Sequence, residues 1–298
     1  MGKLIRCITS DGAVMATCVD TTDIVAKAEQ YHKTSAVVTA ALGRLLTATS
    51  MMGNMLKSKD NSITLKVQGE GPIGTLVAAG DADGNVRGYV TNPVVEIPLN
   101  NVGKLDVGGA VGAGTLYVIK DLGMRDPYIG QIPLATGEIA EDITSYYAVS
   151  EQIPTICALG VLVNPDLTVK CAGGFIIQLL PGYTNADIDK LEDSVKGLES
   201  VTKMLSDGKT PEEIVRIALK NFEVEVLYEQ IVEYKCKCSR QRTVDALMCI
   251  SVEDLEDMAN DKNDTEVSCH FCNKKYKFSA EDVRSIISKK LKKIKNKC

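Results

Sequence analysis

The sequence predicts an α+β protein built from three successive regions, and three observations carry that expectation. Short segments alternate apolar and polar residues between Gly, Asn and Asp; helical periodicity is confined to separate blocks instead of following each strand; charge and cysteine content change after Pro181-Gly182. The expected organisation is a large mixed-sheet α+β domain over 1–182, a helical linker over 183–231 and a small cysteine-bearing domain over 232–298. A chain of 298 residues suits one large and one small domain, since domains run to ~100–200 residues. The 45% apolar content is that of a globular core.

Within 1–182, "AVMATCVDT", "SITLKVQG", "GTLVAAG", "NVRGYVTN" and "GTLYVIK" read as strands, and 22–33, 34–57 and 138–151 as helices. "ICALGVLVNPDLTVKCAGGFIIQLLPG" reads as a hairpin turning at Asn164-Pro165-Asp166. The stretch 35–56 is apolar enough to raise the question of a membrane span, but Arg44 sits at its middle. A charge at a bilayer centre costs at least ~2.5 kcal/mol, so a buried helix is expected. The N-terminus "MGKLIRCITSDG" lacks the pattern of a signal peptide, and Arg6 stands where a myristoylation motif wants Ser or Thr. A cytoplasmic protein, with no membrane partner, is expected.

Residues 184–231 hold eleven Asp and Glu and six Lys and Arg in 48 positions, well above the 24% charge of the whole chain. Two helices are legible there. One runs through Ile188, Leu191, Val195 and Leu198; the other opens at "TPEE", where Thr210 caps, Pro211 fits the first position and Glu213 completes a capping box. The apolar stripe is narrow, so this segment reads as a linker of marginal stability in which Gly197 weakens a helix interior.

The last region carries helix signals at Ser239 and Ser251. It ends in "SAEDVRSIISKKLKKIKNK", where Val283, Ile286, Ile287, Leu291 and Ile294 fall at helical spacing behind a Ser279–Asp282 box. Its tail, 281–298, is +5 against about −10 for the rest, which fits a solvated basic face better than a nucleic-acid surface. About 67 residues without Trp rarely supply enough core to stand alone, so a staple is expected.

The staple is visible in "EYKCKCSRQR" and "SCHFCNKKYKF": Cys236-x-Cys238, then 30 residues, then Cys269-x-x-Cys272. Two short cysteine chelates can close a tetrahedral shell of four thiolates around zinc with no vacant position for substrate. In a cytoplasmic chain such pairs are metal ligands or redox thiols more often than structural disulfides. A disulfide across Cys-x-Cys would close a small, easily reduced ring, so the clamp can also be a reversible switch. His270, between Cys269 and Cys272, could replace a thiol as ligand, but with four thiolates available it reads as an outer neighbour of the site or an exposed residue; His32, at the end of an apolar helix, reads as structural.

Other motifs fall to simpler readings. "GEGPIG" at 69–74 links two strands and opens no helix, so it is a turn and not a dinucleotide fingerprint. "DADGN" at 81–85 has its Gly at the fourth position of a would-be calcium loop and no closing Glu, so it is a hairpin turn. Two histidines, neither in a nucleophile arrangement, point away from an enzyme.

With these residues in view, the chain resembles the redox-regulated holdase chaperone family of bacteria, the thirty-three-kilodalton heat-shock proteins, over essentially its full length. The resemblance rests on "YKCKCSRQR" and "CHFCNKKYKF" at the family's cysteine spacing and on "KSKDNSITLKVQGEGPIG", "GYVTNP" and "FIIQLLPG". It implies an ATP-independent chaperone that is inactive when reduced, with one Zn2+ held by Cys236, Cys238, Cys269 and Cys272 of a C-terminal redox-switch domain. It also implies that oxidation pairs Cys236 with Cys238 and Cys269 with Cys272, releasing zinc. The implied partners are unfolding client proteins, a second copy of the chain when activated, and an ATP-dependent foldase downstream. Cys7, Cys18, Cys157, Cys171, Cys249 and Cys298 are thiols outside the motif and raise the question whether oxidation stops at four. The rival readings are a zinc-ribbon nucleic-acid binder using the terminal lysines, with steeply salt-dependent binding, and a thiol oxidoreductase using "CHFC".

Overall fold

The computed structural model describes residues 2–261 and 263–295, with side chains to 292; Cys298 and the side chain of Ile294 lie outside the described residues. The chain divides into two compact units, 1–235 and 236–298.

In the first unit, strands β1 (Gly2–Thr9) and β2 (Val14–Asp20) lead into helices α1 (Thr22–His32) and α2 (Ala36–Asn54). Next come β3 (Ser62–Gly69), β4 (Thr75–Asp81), β5 (Val86–Val90), α3 (Val107–Val111), β6 (Gly114–Asp121), β7 (Tyr128–Pro133) and α4 (Ala140–Tyr146), which runs on through a π turn, Tyr147–Glu151. The long hairpin β8 (Thr155–Val163) and β9 (Val169–Leu179) follows, turning over 164–168 where the sequence places it. Helices α5 (Asn185–Val195), α6 (Val201–Ser206) and α7 (Pro211–Ala218) then precede strand β10 (Val224–Val232).

These strands form two five-stranded sheets, ordered β10-β1-β2-β9-β8 and β5-β4-β3-β6-β7. Their ladders are antiparallel, and the described parallel pairing is an isolated bridge, Val86 to Tyr234. Strands joined by short turns can only pair this way, since parallel neighbours need long crossovers. "GEGPIG" is the β3–β4 turn, closed by Gly69 N–H to Gly74 O. A Cβ on Gly71 would lie 2.4 Å from the carbonyl oxygen of Ala110, so only glycine fits there. "DADGN" is the β4–β5 turn, with Gly84 at φ 80.

Helix α2 packs against strands of both sheets, which is why it is apolar all round; 89% of its most apolar window is buried inside the unit. Arg44 is accommodated because Glu138 faces it. The Arg44 guanidinium pairs with the Glu138 carboxylate, which also accepts from Gly108 N–H at 3.0 Å. His32 is structural: its Nε2 donates to Gly88 O at 3.0 Å.

The segment read as a sparsely anchored helical linker is corrected in two respects. Its C-terminal part is not helical: β10 pairs with β1 from Gly2↔Val232 to Thr9↔Val224. Its helices are also not poorly anchored, because Leu191, Val201, Met204, Ile214, Val215, Ala218 and Phe222 are buried in a second core. That core lies on the outer face of the first sheet, against Ile5, Val14, Ala16, Phe175, Ile177 and Leu179. Thr184 and Thr210 both form capping boxes, and Pro211 takes the first position of α7. Gly197 is not in a helix interior. It follows α5 at φ 75, the left-handed conformation that favours glycine after a helix end.

The second unit contains α8 (Arg240–Leu247), α9 (Val252–Asn260), the hairpin β11 (Thr265–Ser268) and β12 (Lys275–Phe278), and α10 (Ala280–Lys295). Ser239, Ser251 and Ser279 cap the three helices. Its core is small: Leu247, Leu255, Ala259, Tyr276, Phe278, Val283, Ile286 and Ile287.

Candidate metal centre

Two local structures bring the four cysteines together. Cys236 and Cys238 lie on an extended segment that ends at the Ser239 cap of α8, so one intervening residue turns both thiols to the same side. Cys269 and Cys272 lie on the β11–β12 turn, closed by Cys269 N–H to Lys274 O at 3.0 Å and Asn273 N–H to Cys269 O at 2.8 Å. Asn273 takes φ 55, a conformation Asn tolerates better than most residues.

The four Sγ atoms all lie within 4.8 Å of one another, with Cys236–Cys269 at 3.6 Å and Cys238–Cys272 at 3.5 Å. Zinc–sulfur bonds of about 2.3 Å in a tetrahedron set neighbouring sulfurs about 3.8 Å apart. The donor set therefore closely fits an ion held by four thiolates, and His270 is not one of the clustered donors.

A fifth residue belongs to the site and escaped the sequence reading. Tyr276, on β12 and almost fully buried, donates its hydroxyl to Cys238 Sγ at 3.1 Å. Outer hydrogen bonds of this kind hold a ligand's orientation and tune its charge. The signal was an aromatic four positions after Cys272, within the hairpin that carries the second chelate.

The sulfurs compete for negative charge. Burial opposes ionisation of Cys238, but hydrogen bonds from Tyr276 and the neighbouring thiols outweigh it and bring that thiol down to about 7. Burial pushes the Cys236 and Cys272 thiols up. A bound dication favours the thiolate at all four positions. The arrangement can therefore do two things chemically: hold a soft divalent metal, or give up electrons to an oxidant as a cluster of closely spaced thiols.

An α+β unit of two antiparallel sheets followed by a small unit closed around four cysteines defines a chaperone class, as comparison with known proteins makes plain. The "Hsp33 protein" family model matches residues 2–279, and the chain belongs to that family. A 33 kDa chaperonin of Lachnoclostridium phytofermentans is 48% identical over 286 residues, 96% of this chain and 98% of that one. One from Acetivibrio thermocellus is 44% identical over 95% of this chain and 96% of that one. The crystal structure of the 33 kDa chaperonin (heat shock protein 33 homolog) of Thermotoga maritima superposes with a TM-score of 0.89 at 36% identity, covering 97% of this chain and 99% of that one. The protein is thus a chaperone of the heat-shock class, and unfolded proteins are its partners.

Proposed function

We infer that the chain is a redox-regulated, ATP-independent holdase of the cytoplasm, without enzymatic activity, whose four clustered thiols control access to an apolar surface. Cys236, Cys238, Cys269 and Cys272 would hold one zinc ion when reduced, and the ion supplies the cross-link that a core of eight buried apolar residues cannot. Oxidation by a peroxide or hypochlorite takes two electrons from each thiol pair. The resemblance implies the pairs Cys236–Cys238 and Cys269–Cys272, which would withdraw all four donors together. Structural zinc contributes ~10–16 kcal/mol to folding, as much as the whole stability of a domain, so 236–298 would then lose its fold.

One observation carries the second half of the reading. The face of the first sheet beneath α5–α7 is apolar, and these three short helices cover it mainly by packing, with few polar ties such as Lys190–Asp11 and Cys171–Thr202. From α7 the chain runs through Phe222 and β10 to Cys236 with no further connecting segment, so unfolding of the second unit would act on the cover through β10. The proposed division is a core of 1–182, a metastable cover within 183–231 and a switch of 232–298. The lifted cover would leave Ile5, Val14, Phe175 and Ile177 free to hold a client. Dimerisation on activation and hand-over to an ATP-dependent foldase are proposed on the same resemblance.

The deciding experiment follows aggregation of a thermolabile client enzyme while zinc release is read with a chelating dye. Reduced, zinc-loaded protein should leave aggregation unchanged, and peroxide-treated protein should suppress it in step with zinc release. Equal suppression by the reduced form, or full zinc release without suppression, would overturn the reading.

A further inference from the structure

The cysteines outside the cluster are sorted by the two faces of the first sheet. Cys7 on β1 and Cys18 on β2 belong to the apolar face beneath α5–α7, and both are completely buried. Cys171 on β9 is 5% exposed, and its Sγ donates to Thr202 O on α6 at 3.4 Å. Cys157 on β8 faces the other way: it packs against the core around α2 and is partly exposed. Cys249, just past α8, is exposed.

We propose that Cys7, Cys18 and Cys171, spread over one covered face of the sheet, are a second set of oxidisable thiols, reached only when α5–α7 lift, at which hydroperoxides oxidise the client-holding face itself. The proposal rests on the reading that the cover lifts on activation. The step balances as follows. The thiolate sulfur attacks one peroxide oxygen, an S–O bond forms as the O–O bond breaks, and sulfur loses two electrons. The other oxygen leaves as hydroxide or alkoxide and takes up a proton, while the cysteine becomes a sulfenic acid.

Two physical facts keep these thiols silent while covered. Helix α7 packs on β1 and β2, and α6 on β8 and β9, which leaves Cys7 and Cys18 without exposed surface and Cys171 with 5%. Burial, joined by the Glu212 carboxylate, pushes the Cys7 thiol up to about 11, and burial pushes Cys18 and Cys171 up as well, so little thiolate is present. Uncovering reverses both. A sulfenic hydroxyl then stands where Ile214, Val215 and Ala218 would have to repack, turning an apolar patch into one that carries polar oxygen.

The test is alkylation of the full chain by N-ethylmaleimide, read cysteine by cysteine by mass spectrometry, with amide exchange over 185–222 read on the same samples. Peroxide-treated protein is compared with reduced, zinc-loaded protein, and dimedone traps sulfenic acid. Cys249 should label at once in the reduced protein, and Cys157 should label at one rate before and after treatment. Cys7, Cys18 and Cys171 should label at least about tenfold faster in any sample whose cover exchanges fast, because labelling tracks opening. With peroxide present, they should instead give dimedone adducts. A second arm loosens the cover without oxidant through Ile214→Asn, or through the milder Leu191→Ala if the first does not fold. If peroxide leaves exchange over 185–222 slow, the lifting mechanism fails, and the second arm, treated with peroxide, decides the oxidation of the three thiols alone. The proposal is overturned if 185–222 exchanges fast while the three thiols stay unlabelled, if they give no dimedone adduct, or if Cys157 accelerates with them, which would mean that the sheet itself has opened.

Discussion

The two units reach a folded state by different means. Residues 1–235 bury both faces of one sheet, wrap α2 on all sides and place Leu4, Leu45, Met51, Leu65 and Phe175 out of contact with water. Among the described residues of 236–298, eight apolar side chains are buried in one small cluster and four thiols come together beside it. A large unit can lose one contact and survive, whereas a small one depends on its cross-link. The difference teaches where the proposed thiol switch would have most effect: in the second unit, where removing four donors would decide folding.

The strongest way to break this comparison is to remove the metal. Cys269→Ser, or a strong chelator, should abolish slow amide exchange throughout 240–287 and leave β2, β3 and β9 protected, as hydrogen exchange with mass readout will show. Persistent protection of α9 and α10 without metal would mean that the small core suffices. Next in size, Phe278→Ala should cost ~3–5 kcal/mol and lower the melting temperature of 236–298 with zinc bound, by more than Leu45→Ala at ~2–5 kcal/mol lowers that of the larger first unit. Calorimetry with the two transitions resolved checks both.

Zinc affinity should fall with acid. Cys238 is brought down to about 7, below the ordinary thiol value, so its contribution to the folded site is complete above the ordinary thiol range, declines below it, and is lost as pH falls through about 7. Protons compete at the other three ligands as well, so chelator competition between pH 8 and pH 6 should show affinity dropping steeply, by more than about tenfold per pH unit. Tyr276→Phe removes the hydroxyl from Cys238 but keeps the ring in the core, and should weaken zinc binding about 10–100-fold while leaving β11–β12 folded. Circular dichroism and the same competition separate the two effects. The smallest effect sharpens the account of the cover. Gly197→Ala should destabilise α5–α7 by about 1 kcal/mol, because φ 75 strains any residue with a Cβ, and should lower the oxidant dose needed for activation.

Much of this was legible because it is local. The hairpin at Asn164-Pro165-Asp166, the β3–β4 and β4–β5 turns, the capping boxes at Thr184 and Thr210 and the two cysteine chelates are each set by residues within a few positions of one another. The sequence reading tests "GKLIRCIT" as a leader and so leaves β1 out of the expected strands. The high charge of "VEVLYEQIV" masks strand β10, although Val224 and Val226 alternate with Glu223 and Glu225 as an edge strand should.

By itself, then, the sequence determined the α+β class, the four-thiol spacing, the caps and the turns, since each depends on chemistry carried along a short stretch of chain. Tertiary structure alone decided that β10 joins a sheet begun by the first residues, that α5–α7 find their core on the outer face of that sheet, that Tyr276 reaches Cys238, and that Cys7, Cys18 and Cys171 share one covered face while Cys157 takes the other. Those outcomes depend on which surfaces meet after the chain has closed loops of tens to hundreds of residues. No local periodicity encodes that choice, because the free energy of burial depends on apolar area and is indifferent to how far apart in sequence the buried groups lie.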